Sequence, residues 1–93
     1  MRSPVRHELK CWPRFFEAMR DGRKSFELRK NDRGFQAGDA LILREFNPCS
    51  PAGGEYTGRE LFGRITYMVL PEDHDSLRDG YCCLAVQLLA EQP

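Results

Sequence analysis

The 93-residue sequence lacks long apolar segments, a secretory leader pattern and any excess of one charge. No apolar run approaches the roughly 20 residues that a membrane helix needs, so the sequence predicts no membrane contact. The first ten residues carry charges without an apolar stretch behind them, which argues against a secretory signal. These absences predict a cytoplasmic protein.

Cysteine pairs with the spacing of a metal or redox motif are also absent. Cys11, Cys49, Cys82 and Cys83 form no C-x-x-C pair, and the two histidines lack zinc-finger spacing. The sequence therefore predicts neither a metal site nor a cofactor. In a reducing compartment we expect free thiols, some of them packed as small core hydrophobes.

The 14 basic and 14 acidic residues leave no net charge, which argues against a purely electrostatic nucleic-acid binder. The charges are nevertheless unevenly spread. Residues 1–33 carry ten Lys or Arg and five Asp or Glu, a balance of +5, and residues 34–93 carry four and nine, a balance of −5. Two interpretations stay open: one basic face, or two halves that neutralise each other across the fold.

One helix is predicted over residues 13–21. Pro13 suits the first helical turn and Gly22 follows at the usual C-terminal stop. An apolar stripe at helical spacing would face the core, with Trp12 as its most exposed member. Its members are Trp12, Phe15, Phe16 and Met19.

Strands are predicted over residues 6–10, 24–29, 40–46, 61–70 and 81–89, and a long loop over 47–58. In the second strand, period-two alternation predicts Phe26 and Leu28 toward the core and Glu27 and Arg29 on the other side. Ile65, Tyr67 and Val69 would share one face, and the last strand would be buried on both faces. This pattern indicates an α+β fold, with an antiparallel or mixed sheet that loses its exposed edges if it closes into a small barrel.

The run Gly22–Arg29, followed by Gly38-Asp39 and an apolar strand, resembles the ASCH domain of the PUA-like superfamily. Residues 7–10, 29–33 and 56–59 narrow the resemblance to a phage and bacterial subfamily often labelled RNA-binding. The resemblance spans about residues 6–88. It implies that residues 1–93 form a single ASCH-type domain: a small PUA-like mixed β-barrel with one early α-helix.

The resemblance favours a ligand site in the segment 22–33 over an ordinary salt-bridged strand face. Lysine and arginine there would neutralise phosphate, and Glu27 would accept hydrogen bonds from a base or a ribose. Trp12 and Tyr56 are candidates for stacking on a base. The sequence thus predicts a module that binds RNA or a nucleotide, with candidate ligand-binding residues Lys10, Trp12, Lys24, Glu27, Arg29, Lys30, Arg33 and Tyr56.

An enzyme is the alternative. Some ASCH relatives hydrolyse the amide of N4-acetylcytidine with a lysine, a threonine three residues later and a downstream glutamate, and ribonuclease activity has also been suggested. Lys24 matches that lysine, but Glu27 occupies the place of the threonine. Ser25 or Thr57 would substitute only if the fold brought it to Lys24. A phage-encoded domain that binds a host protein is a third possibility without a sequence signature.

Overall fold

Five strands, one α-helix and one 3₁₀ helix make up residues 2–93, the part of the chain that this computed structural model describes. No helix in that range is long and apolar enough to cross a membrane. In chain order the elements are β1 (Arg6–Cys11), α1 (Pro13–Arg20), β2 (Phe26–Lys30), β3 (Ala40–Asn47), β4 (Glu55–Val69), the 3₁₀ helix (Pro71–Asp73) and β5 (Tyr81–Leu89).

The strands form one mixed sheet in the order β1-β3-β4-β5-β2. β1 runs parallel to β3, and the other three pairs are antiparallel. The sheet curls into a half-barrel, and arginine side chains of β2 and the segment after it reach the backbone of β1 across a seam between the two edge strands. There Arg29 Nη2 donates to the Lys10 carbonyl at 2.5 Å, and Arg33 Nη1 donates to the Glu8 carbonyl at 2.7 Å. The predicted α+β fold, with a mixed curled sheet and one early helix, is confirmed at this level.

The core lies on the concave face of the sheet, under α1. The helix has eight residues and no side-chain cap, so it is held mainly by burying Phe16 and Met19. Each of these burials contributes about 1.5–3 kcal/mol. The core consists of Leu9, Cys11, Phe16, Met19, Phe35, Leu41, Leu43, Ile65, Cys82, Leu84 and Val86.

β4 differs from its prediction in where it begins and in its register. It begins at Glu55, so the predicted loop over residues 47–58 is shorter than expected. A register shift between Ile65 and Tyr67 breaks the period-two alternation. Ile65 is therefore 1% exposed and Tyr67 is 66% exposed, and the prediction that they share a face is wrong.

β5 has the predicted bounds but not the predicted burial. Cys82, Leu84 and Val86 are buried on the concave face, whereas Tyr81 and Gln87 on the convex face are exposed. The prediction that both faces are buried is wrong, because α1 covers only the concave side of the sheet.

A buried carboxylate, Asp39, fixes the start of β1 against the start of β3. Its Oδ1 accepts hydrogen bonds from Arg2 Nη1 at 2.9 Å and Val5 N at 3.1 Å. Its Oδ2 lies 2.7 Å from Arg2 Nη2, 2.8 Å from His7 Nε2 and 3.1 Å from Gln36 N. The Arg2 guanidinium above all holds the pKa of Asp39 well below its usual range, against the opposing effect of burial. This network sets the position of β1, whose far end leads into the candidate site.

Candidate functional site

A cleft of about 460 Å³ opens between the end of β1, the two ends of α1 and β2. Four basic residues and one acidic residue line it, a balance of +3 (four minus one). Trp12, Phe15 and Phe26 are 50%, 37% and 42% exposed at this cleft, although aromatic rings usually bury more of their surface. The lining residues are Lys10, Cys11, Trp12, Phe15, Arg23, Lys24, Phe26, Glu27, Leu28 and Arg29.

The turn after α1 brings Lys24 into the cleft. Gly22 has a φ of +87°, in the left-handed region that ends helices, and its N–H donates to the Met19 carbonyl at 3.3 Å. The Lys24 N–H then donates to the Ala18 carbonyl at 2.9 Å. The backbone on which the Lys24 side chain stands is thus tied to the helix end.

β2 turns toward the core the face opposite to the one that period-two alternation predicts. Glu27 is buried at 4% exposure, whereas Phe26 and Leu28 are 42% and 61% exposed, so the prediction of Phe26 and Leu28 in the core is wrong. The register explains the difference. Glu27 lies opposite Leu84, whose side chain points into the core, and side chains directly opposite across strands share a face.

Two cations hold the Glu27 carboxylate on opposite oxygens. Lys24 Nζ lies 2.8 Å from Oε1, and Arg29 Nε donates to Oε2 at 2.9 Å. The Lys24 and Arg29 side chains are 15% and 27% exposed, so the three groups form a part-buried ionic triad at the base of the cleft. A buried carboxylate is tolerated only with such partners. We call these three residues the triad.

Cys11 lines the same cleft but is a poor nucleophile. Burial above all, and then the negative charge of Glu27, raise the pKa of its thiol to about 11. The thiolate is the reactive form of cysteine, so this thiol stays protonated and unreactive near neutral pH.

A second ionic cluster surrounds buried Glu45 on β3. Thr57 Oγ1 donates to Glu45 Oε1 at 2.7 Å, and Arg59 bonds both oxygens at 2.8 Å. Arg59 also reaches Glu17 at 2.5 Å, which ties α1 to β4. The bonds from Arg59, and then from Thr57, lower the pKa of Glu45 against the effect of burial. Thr57 is therefore occupied with Glu45 rather than placed beside Lys24.

Five of the eight candidate ligand-binding residues come together at the cleft, namely Lys10, Trp12, Lys24, Glu27 and Arg29. Lys30 is exposed at the end of β2, opposite Tyr81, and Arg33 bonds the Glu8 carbonyl at the seam. Neither residue lines the cleft.

Tyr56 lies in β4 rather than in a loop, so it has neighbours that sequence reasoning did not foresee. Its ring packs edge-on against Phe46 with ring centres 5.1 Å apart, and the Arg44 guanidinium lies 4.0 Å from its centre. A smaller cleft of about 220 Å³ contains Tyr56, Arg59 and Glu60. Tyr56 thus belongs to a different surface from the triad.

The sequence reasoning missed Cys11, Phe15, Arg23, Phe26 and Leu28 as cleft residues. For Phe15 the sequence pointed the other way, because residues spaced i, i+3, i+4 and i+7 share one helix face, as Trp12, Phe15, Phe16 and Met19 do. The structure buries only the last two of these. The exposure of Phe26 and Leu28 had no local signal either, because it follows from the pairing of β2 with β5.

The cleft lining includes no serine or threonine, and Ser25 is an exposed residue outside it. Within residues 2–93, no group of three or more His, Cys, Asp or Glu side chains is placed to hold a metal ion. What the cleft offers chemically is a cationic, partly aromatic surface around one buried carboxylate.

Two comparisons with known proteins bear on this chain. The model of a family described as a domain of unknown function, DUF3850, matches residues 6–86. An uncharacterized 12.9 kDa protein in the GpA 3′ region of Escherichia phage P2 is 40% identical over 60 residues, which cover 64% of this chain and 50% of that protein. The chain thus spans about half the length of the curated relative it matches.

Proposed function

This chain belongs to the DUF3850 family, and we propose that it is a binding module whose cleft holds a nucleotide or a short stretch of single-stranded RNA. The observation that carries the proposal is the cleft itself, where exposed aromatic rings stand beside a +3 balance of charge. Proteins that bind single strands combine these two features, with cations along the phosphates and aromatic rings stacked on the bases.

The resemblance to ASCH domains supports the same proposal. A curled mixed sheet with one early helix is compatible with a PUA-like assignment, which we also propose. Fold likeness alone does not assign a function, so the argument depends on the cleft.

The triad changes the role that we assign to each cation. Lys24 and Arg29 already neutralise Glu27, so they act at the base of the cleft rather than as free phosphate ligands. Arg23 is 68% exposed on the cleft wall, and within residues 2–93 its one ion pair is with exposed Asp21, at 2.8 Å. An exposed pair of this kind is weak, so Arg23 can exchange Asp21 for a phosphate.

Intrinsic fluorescence of Trp12, the single tryptophan, gives a direct test. A base stacked at the cleft should quench this emission in a titration with a mixed-sequence single-stranded RNA octamer. Affinity should fall with salt, with a log–log slope of about −0.7 per phosphate contact. Arg23→Ala should make that slope shallower by about one contact.

Arg20→Ala is the matched control. Arg20 is also an exposed arginine paired with a carboxylate, Glu17, but it does not line the cleft. The control should bind like the wild type. Absence of quenching, or equal losses in both variants, would refute the proposed function.

A further inference from the structure

Building on the proposed function, we infer that the cleft selects a uracil-type ring. Lys24, Glu27 and Arg29 present a hydrogen-bond donor, an acceptor and a donor in that order. The imide edge of uracil or thymine carries the complementary order, with one N–H between two carbonyl oxygens.

Each member of the triad has hydrogen-bonding capacity left for a ligand. The Lys24 ammonium has three N–H groups and uses two, on the Phe26 carbonyl at 2.6 Å and on Glu27 at 2.8 Å. The Arg29 guanidinium has five and uses two, on Glu27 and on the Lys10 carbonyl. One N–H of Lys24 and three of Arg29 remain available on the two sides of the carboxylate.

Glu27 supplies the acceptor between them. Its two oxygens together offer about four lone-pair positions, and each oxygen accepts one bond from the triad. The carboxylate is 5% exposed, so a ligand N–H that reaches it makes a bond largely shielded from water. Such charge-assisted bonds are roughly twice as strong as neutral ones.

Flat apolar surfaces stand beside this polar edge. Lys24 Nζ lies 5.5 Å from the centre of the Phe15 ring and 5.1 Å from that of Phe26. Both rings are partly exposed to the cleft, whose volume of about 460 Å³ falls in the range of small-ligand sites. A planar ring can therefore stack on an aromatic side chain while its edge meets the triad.

The other RNA bases do not match both cations. Cytosine presents one donor followed by two acceptors, and guanine presents one acceptor followed by two donors. With either base, one of the two cations, Lys24 or Arg29, therefore faces a donor or remains unpaired. Adenine presents one donor beside one acceptor. Uracil alone among the four places its single N–H between two acceptors, which satisfies Lys24, Glu27 and Arg29 together.

Fluorescence anisotropy with end-labelled octamers of uridine, cytidine, 3-methyluridine and 5-methyluridine tests this assignment on the full chain. The two methylated octamers add the same group, but only 3-methyluridine loses the imide N–H. We expect uridine and 5-methyluridine to bind within about threefold of each other, and cytidine and 3-methyluridine at least about tenfold more weakly. This comparison also controls for the flexibility of uridine strands, which can mimic a base preference.

Lys24→Met removes one donor and keeps the apolar stem, and it should reduce the uridine-to-cytidine ratio at least about threefold. Lys30→Met removes an equivalent charge from an exposed position outside the cleft and should leave the ratio unchanged. Equal binding of all four octamers, or tighter binding of cytidine, would overturn the uracil assignment while leaving the proposed function standing. Absence of binding to any octamer would refute both. The methylated pair decides the question even if Lys24→Met fails to fold.

Discussion

Replacement of Asp39 by asparagine is the sharpest test of how the fold is anchored. Five hydrogen bonds converge on the two oxygens of this carboxylate. Asparagine keeps one oxygen and puts an NH₂ group in place of the other, so at least two donors lose their acceptor. The five bonds connect one oxygen to Arg2 and Val5, and the other oxygen to Arg2, His7 and Gln36.

The expected loss of stability follows from these partners. An unsatisfied buried donor costs about 1–3 kcal/mol. Loss of the negative charge that pairs with Arg2 costs further free energy of unfolding. This cost is smaller than for a fully buried pair, because the Arg2 side chain is 35% exposed. We therefore expect a loss of about 3 kcal/mol, which for a domain of this size lowers Tm by about 12–24 °C.

Differential scanning calorimetry at pH 7 gives the measurement, with Asp32→Asn in an exposed loop as the control. Asp32→Asn should change stability by less than about 0.5 kcal/mol. A drop in Tm below about 4 °C for Asp39→Asn, or one equal to the control, would refute the reasoning.

The effect of the same substitution on Tm should depend on pH. The pKa of Asp39 is depressed in the folded state, so its stabilising contribution is present above the unfolded value of about 3.9 and is lost as pH falls. The difference in Tm between the wild type and Asp39→Asn should thus shrink between about pH 5 and pH 3. A difference that grows over this interval would contradict the assigned direction.

Other predictions concern packing and chemistry. Gly63→Ala should lower Tm, because an added Cβ would lie 2.6 Å from Val86 Cγ1, and scanning calorimetry showing no change would contradict this close approach. Iodoacetamide at pH 8 without reductant should modify exposed Cys49 far faster than Cys11, whose thiol is buried with a pKa of about 11; peptide mass mapping that finds equal rates would refute this. The protein should leave N4-acetylcytidine intact in a chromatographic assay, since no hydroxyl lines the cleft beside Lys24, and Lys24-dependent release of cytidine would favour the hydrolase instead.

Local signals in the sequence correctly predicted the elements whose limits depend on nearby residues. Pro13 and Gly22 bracket α1, because a proline lacks the N–H that the first turn does not need and a glycine adopts the left-handed conformation that ends a helix. The segments that form β3 and β5 were also predicted as strands, with ends within one residue of the observed ones.

Of the candidate site, the sequence by itself determined the chemistry but not its arrangement. Lys24, Glu27 and Arg29 are close along the chain, so charged groups had to lie near one another whatever the fold. Period-two alternation separates two faces of β2 without saying which one points inward. The apolar side chains of Phe26 and Leu28 favoured the opposite prediction, in which these two residues point toward the core.

Only the tertiary structure decided that choice. β2 pairs with β5, more than 50 residues later in the chain, in a register that sets Glu27 opposite buried Leu84. The same pairing leaves Phe26 and Leu28 exposed beside the cleft, and the curl of the sheet brings Arg29 to the carbonyl of Lys10. Register and curvature depend on contacts between distant segments, whereas turns and helix ends depend on the dihedral preferences of single residues.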